Sequence, residues 1–240
     1  MKKITFLKSQ VFISVVIAVC AAIIGAIAGT YITVSVTNTE KRQKDNETKE
    51  FILKELQESL QQDTTHINKM MNLAKNEVHT IEYLLLSSEN NFFNLKNENI
   101  DSLMHLASDA LSFRPNTSAF EAYKYNGDLT LLNPNTLRSL FELYSVKYKR
   151  IQEIVDGENN TVLKMIDPFI LDNTKYLGLS NPSYTAKVNR EILLDLFKYD
   201  RFKHYLNYNR TYKNILIVSY QDALDEIEDI FLKFENDLQK

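Results

Sequence analysis

The chain has 240 residues, and its 28 Lys and Arg against 31 Asp and Glu give a net charge of −3. Such a slightly acidic chain lacks the basic surface that phosphate backbones need, which argues against a nucleic-acid partner. Five glycines and four prolines are too few for a turn-rich β-protein, and a single cysteine excludes an intrachain disulfide. Composition therefore predicts an all-α fold.

The first predicted element is an apolar stretch over residues 11–36, with no charged side chain between Lys8 and Glu40. A helix that crosses a bilayer needs about 20 such residues. We therefore predict one transmembrane helix, preceded by a basic cytoplasmic tail at residues 1–10 and followed by a helical extracytoplasmic domain at residues 40–240.

Two other interpretations of this stretch are a cleaved signal peptide and a lipoprotein. Ala26-Ile27-Ala28 resembles a cleavage site, but the apolar run before it is already at the upper limit of about 7–15 residues, and apolar residues continue beyond it. Cys20 follows the bulky Val19 and precedes more apolar residues, which argues against lipidation. Both alternatives are weaker than an uncleaved signal anchor.

Small residues on the predicted span favour helix association. Ala21, Gly25 and Gly29 recur every four residues, and such spacing lets a second backbone approach closely in lipid. The plain alternative is that Gly and Ala are simply common in membrane helices. We predict contact here with a second copy or with another membrane or envelope protein.

The numbers of basic residues on the two sides of the span are nearly equal, so the orientation is predicted from the short basic tail. Basic residues lie on both sides of the span: Lys2, Lys3 and Lys8 before it, and Lys41, Arg42, Lys44 and Lys49 after it. A short basic tail is typical of a signal anchor whose N-terminus stays inside. The prediction is a single-pass protein of the inner (cytoplasmic) membrane with most of the chain outside.

Residues 40–86 and 200–240 are predicted as two long helices with heptad-like apolar seams. Asp63 interrupts the first seam, either aligning the helix with its partner or, as we favour, forming a partly solvated defect. The second seam lies in the C-terminal half of the second helix and consists of Ile217, Tyr220, Leu224, Ile227, Phe231, Phe234 and Leu238. The two helices are predicted to pair antiparallel as an elongated stalk, with parallel pairing of the first helix in a dimer as the competing arrangement.

Residues 87–199 are predicted to form a head of shorter helices. One helix runs to Phe113, and a short one closes at Asn126-Gly127 before an extended link over residues 129–132. Asn133-Pro134 begins another helix, which we expect to stop at Gly157. Residues 173–187 are predicted to be a loop.

Three segments carry a resemblance to other sequences: FILKELQESLQQD, AFEAYKYNGDLTLLNPNTLRSLFELYSVKYKRI and YDRFKHYLNYNRTYKN. Together with the short basic tail and single span, they resemble a family of uncharacterised bacterial membrane proteins with one N-terminal span and a helical extracytoplasmic domain. The resemblance implies this architecture and no activity.

The sequence offers no chemical site. Asp101, His105 and Asp109 lie four residues apart, but one helix face supplies too few ligands for a metal site. No nucleophile elbow, P-loop or dinucleotide fingerprint is present, and the many tyrosines fit a core edge better than a ligand pocket. We predict no catalytic residue, metal or cofactor, and no enzymatic activity.

Two functions remain open. The first is a membrane-anchored interaction or scaffold protein, because the chain has two heptad seams and a small-residue face but no chemical motif. The second is a small-molecule sensor built as a helical bundle that signals through a partner protein.

Overall fold

The computed structural model describes residues 2–89, 96–174 and 190–238, without the side chains of residues 2–25, 27, 28, 32, 33, 89, 97, 98 and 174. All regular secondary structure in these residues is helical, so the all-α prediction is confirmed. The chain divides into two compact units, Met1–Phe51 and Ile52–Lys240, and the second is a helical bundle.

The first helix, α1, spans Lys2–Glu89 and therefore contributes to both units. It contains the whole apolar stretch of residues 11–36. Among the described residues, none of the helices combines the length and the apolar character that membrane crossing requires. Most side chains of the predicted span, including Ala21 and Gly25, lie outside the described residues. The transmembrane interpretation therefore stays a prediction.

Seven further α-helices follow within the described residues. They are α2 Asn97–Ala107, α3 Ser118–Asn126, α4 Pro134–Glu142, α5 Tyr148–Thr161, α6 Asp167–Thr174, α7 Arg190–Phe197 and α8 Asp200–Leu238. Two π-helical turns, Leu143–Lys147 and Val162–Ile166, join α4, α5 and α6 into one continuous helical run. The loop predicted at residues 173–187 lies mostly outside the described residues.

Local sequence signals explain several helix ends. The side chain of Asn133 accepts a hydrogen bond from the Asn135 N–H, and Pro134 is the first residue of α4, as predicted. Gly127 ends α3 in a left-handed conformation with φ of 79°. The last turn of α8 supports the start of α4, because Asp237 accepts hydrogen bonds from the Asn133 N–H at 3.4 Å and the Thr136 hydroxyl at 2.8 Å.

Two predicted helix ends and one predicted link are wrong. Gly157 lies inside α5 and does not end it. The aromatic ring of Tyr212 on α8 passes so close that a Cβ on Gly157 would be 2.8 Å from its Cε1 atom. The helix expected to reach Phe113 ends at Ala107, and the extended link at residues 129–132 is mainly a 3₁₀ turn, Asp128–Leu131.

The buried face of α8 shares Tyr220, Ile227 and Phe234 with the predicted seam. Buried residues recur every three or four positions: Phe202, Leu206, Asn209, Lys213, Leu216, Tyr220, Ala223, Ile227, Ile230, Phe234 and Asp237. The predicted Ile217, Leu224 and Phe231 are only partly buried and pack at the margin of the core. Asn209 and Lys213 are polar members of this buried face, N-terminal to the predicted seam.

In the second unit, α1 and α8 lie side by side in opposite directions. Glu77 pairs with Lys213 and Glu82 pairs with Arg210, so the partners run in opposite sequence order. One core cluster combines residues 52–74 of α1 and 216–234 of α8 with α3, α4 and α5. A second combines Ile81 and Leu84 of α1 with α2, α6 and α7.

Candidate functional site

The most unusual part of the bundle is the segment of residues 108–117, which joins α2 to α3. It has no regular secondary structure, yet Ser108, Leu111 and Phe113 are buried. Irregular backbone inside a bundle leaves N–H and C=O groups without helical partners, and unpaired buried groups are costly. Polar side chains must therefore enter the core to bind this segment.

Helices α5 and α8 provide four such contacts, one to the last residue of α2 and three to the start of the segment. Asn209 donates through its amide to the Ala107 carbonyl at 3.0 Å, and Lys213 Nζ donates to the Asp109 carbonyl at 3.2 Å. On α5, Asn159 donates to the Leu111 carbonyl at 3.0 Å, and Glu158 Oε2 accepts from the Leu111 N–H at 3.4 Å. These contacts replace the hydrogen bonds that a longer α2 would have made.

Helix α1 binds the other end of the segment. Ser59 donates to the Asn116 carbonyl at 2.8 Å, and Asp63 Oδ1 accepts from the Asn116 N–H at 2.7 Å. Asp63 Oδ2 also accepts from the Tyr148 hydroxyl at 2.8 Å. Asp63 is only 2% exposed, so the expectation of a partly solvated defect is wrong.

The charged centre of this network consists of Lys213, Glu77 and Glu158, which we call the buried cluster. Lys213 Nζ donates to Glu77 Oε2 and, at 2.8 Å, to Glu158 Oε1. All three side chains are essentially inaccessible to solvent. Among the described residues, neither the buried Glu77 Oε1 nor the buried hydroxyl of Tyr220, about two turns after Lys213 on α8, has a hydrogen-bond partner.

Burial controls the protonation of these carboxyl groups. Desolvation raises the pKa of Glu77 to about 7, against the opposing attraction of Lys213. The pKa of Glu158 is raised for the same reason, and so is that of Asp63, although the Asn116 N–H and Tyr148 stabilise its charged form. Desolvation also raises the pKa of Tyr220, which the two glutamates increase further.

A metal centre is not supported in the part of the chain that the structure describes. There, no three His, Cys, Asp or Glu side chains are grouped as ligands would be. His105 Nε2 lies 3.9 Å from Asp101 Oδ2. Asp109 does not share their helix face, because α2 ends before it.

An open groove of about 540 Å³ lies between the end of α1 and the start of α8. Its lining includes Lys203 and Arg210, which pair with Asp200 at 3.6 Å and with Glu82 at 3.5 Å. The groove therefore presents a polar surface whose cations are paired with carboxylates. It is the candidate site for the sensor hypothesis, which stays a prediction.

The interaction residues predicted from sequence do not meet in one site. A Cβ on Gly29 would contact nothing within 4 Å, so that position is open in the isolated chain. Ile217, Leu224 and Phe231 contribute to the margin of the bundle core. The buried cluster was missed by the sequence analysis. Its only signal was polar residues at the heptad positions of α8, which conflict with an apolar seam.

Comparison with known proteins places most of the chain in one family. The profile of a family of unknown function, DUF6090, matches residues 22–177. The chain belongs to DUF6090. The matched region contains Glu77, Glu158 and segment 108–117, whereas Lys213 lies beyond it. Neither the curated proteins nor the solved structures contain a match. Family membership thus assigns neither an activity nor a specific role to the chain.

Proposed function

We propose that this DUF6090 protein is a membrane-anchored helical interaction protein. One observation carries the proposal. The described apolar side chains at the end of the stretch of residues 11–36 are open to solvent, with Tyr31 76%, Val34 53% and Val36 51% exposed. A helix that is apolar on all sides and exposes such side chains needs lipid or another protein around it.

The dimensions of this stretch agree with a lipid environment. Its 26 residues belong to one continuous helix and rise by about 39 Å at 1.5 Å per residue, which exceeds the hydrocarbon thickness of about 30 Å. A tilted helix of this length spans a bilayer. The bundle would then stand on the outer face, with residues 1–10 inside.

Membrane fractionation of bacterial cells that express the full chain tests the anchor. We expect the protein to stay in the pellet after an alkaline carbonate wash. The double variant Ala22→Arg/Ile23→Arg should move to the supernatant, because each arginine costs roughly 2.5–3.5 kcal/mol at the centre of a span. Gln57→Arg/Gln61→Arg, at exposed positions of the bundle, is the matched control and should remain in the pellet.

The same cells report the orientation. External protease should digest the bundle in spheroplasts and leave a membrane-bound N-terminal fragment. Wild-type protein in the wash supernatant would contradict the anchor. Protection of the bundle in spheroplasts, with digestion after lysis, would contradict only the orientation.

The interaction part of the proposal is self-association through the small-residue face of the span. Cys20 is the only cysteine, so oxidative crosslinking in membranes reports contacts of the span alone. We expect a disulfide-linked dimer, or an adduct with a partner, and a several-fold lower yield for Gly25→Ile/Gly29→Ile, because bulky side chains separate the backbones. Ile32→Val is the control with unchanged yield. No adduct in wild type, or an equal yield in the double variant, would contradict this contact.

A further inference from the structure

We propose that the buried cluster is a proton-binding site that controls segment 108–117: one proton on Glu77 keeps the segment in place, and loss of that proton releases it. The proposal is independent of the membrane anchor and of self-association, because every group involved lies within the bundle.

The charges of the buried cluster do not balance when both of its glutamates are ionised. Two carboxylates share a single ammonium group, and all three side chains are removed from water. With both glutamates ionised, the cluster carries one uncompensated negative charge, which is very costly in a solvent-free interior. A proton on one glutamate makes the cluster neutral.

Glu77, and not Glu158, is the carboxyl group that is free to take up the proton. Glu158 uses both oxygens, with Oε1 bound to Lys213 and Oε2 bound to the Leu111 N–H. Glu77 uses only Oε2, and its Oε1 is buried without a partner. A protonated Glu77 therefore loses the fewest contacts, since the proton can reside on Oε1.

The surroundings of Glu77 favour the neutral form. The groups that act on it are Lys213 and Tyr220 from α8, Glu158 from α5 and Asp109 from segment 108–117. Of these, only Lys213 is a cation, and the two acids oppose a further negative charge. The pKa of Glu77, raised to about 7 by burial, agrees with this reading.

Loss of the proton acts directly on the segment. Lys213 binds the Asp109 carbonyl as well as both glutamates, and Glu158 binds the Leu111 N–H. A second full negative charge has to be hydrated, and water reaches it only if helices α1, α5 and α8 or the segment separate. The segment has the weakest local structure of these elements, because its residues 109–116 have no regular secondary structure and make no helical hydrogen bonds to described residues.

The sign of the pH dependence follows from the pKa values. An unfolded Glu77 has the ordinary value of 4.5, and the folded value is about 7. The folded chain binds the proton more tightly, so this contribution to stability is complete below pH 4.5 and is lost as the pH rises to about 7. A difference of this size changes the unfolding equilibrium constant on the order of 100-fold.

The test is equilibrium urea unfolding of the full chain in mild detergent at several pH values from about 4.5 to 7.5. We expect the unfolding constant of wild type to rise with pH on the order of 100-fold more than that of Glu77→Gln, which has no proton to lose. Glu228→Gln removes a charge from an exposed position of α8 and should follow wild type. Parallel pH profiles for wild type and Glu77→Gln would overturn the proposal.

A second measurement needs only wild type, in case Glu77→Gln does not fold. Hydrogen exchange, corrected for the intrinsic pH dependence of the rates, should show that amides of residues 109–116 lose protection as the pH rises through about 7. Amides in the middle of α5 should keep theirs. Constant protection of the segment over this range would show that the proton does not control it.

Discussion

Replacing Lys213 by methionine should lower the free energy of unfolding by about 3–5 kcal/mol, the range for breaking a buried ion pair from one side. Methionine preserves much of the side-chain volume but removes the only cation of the buried cluster. Glu77 and Glu158 then face each other without compensation, and the Asp109 carbonyl loses its donor.

Urea unfolding of the full chain in detergent, followed by near-UV circular dichroism, measures this loss. The chain has 13 tyrosines and no tryptophan, so the signal reports tyrosine packing, including buried Tyr220. Lys203→Met, on the same helix but only partly buried, should cost less than about 1 kcal/mol. A similar small loss for Lys213→Met would mean that the buried cluster contributes little to stability.

Replacing Asp63 by alanine should cost about 2–5 kcal/mol, because it leaves two buried donors, the Asn116 N–H and the Tyr148 hydroxyl, without their acceptor. Loss of a desolvated carboxyl group, whose pKa burial already raises, offsets part of this cost. The same unfolding experiment measures the change.

Asp63→Asn separates hydrogen bonding from charge. An asparagine oxygen can still accept from the Asn116 N–H, so this variant should lose less than half as much stability as Asp63→Ala. Equal losses for the two variants would indicate that the negative charge itself stabilises the site. No loss for either would show that the hydrogen bonds at this end of segment 108–117 are unimportant.

The parts of the fold that could be predicted from sequence depend on neighbouring residues. The cap at Asn133-Pro134 and the stop at Gly127 are local backbone chemistry, and both were recognised. Gly157 looks like a helix stop for the same reason, but its role is to admit the ring of Tyr212 from another helix, and the local sequence does not show that contact.

The polar core could not be predicted from the sequence, because it depends on contacts between residues that are far apart in the chain. Asp63 looks like a flaw in an apolar seam, and nothing in the sequence links Glu77 to Lys213, until segment 108–117 is known to be irregular and buried. The early end of α2 at Ala107 is equally hidden, because Leu111 and Phe113 continue the helical apolar pattern. Their burial is real, but the backbone that carries them is not helical.

The position of Lys213 also determines the register of the two long helices. If α8 slid along α1 by one heptad in either direction, the positions facing Lys213 would be Met70 and Leu84, both apolar and buried. The slipped pairing would bury an ammonium group against hydrocarbon and leave Glu77 opposite no cation. Misaligned bundles are thereby penalised, so this internal charge selects one alignment from several that hydrophobic matching alone would allow.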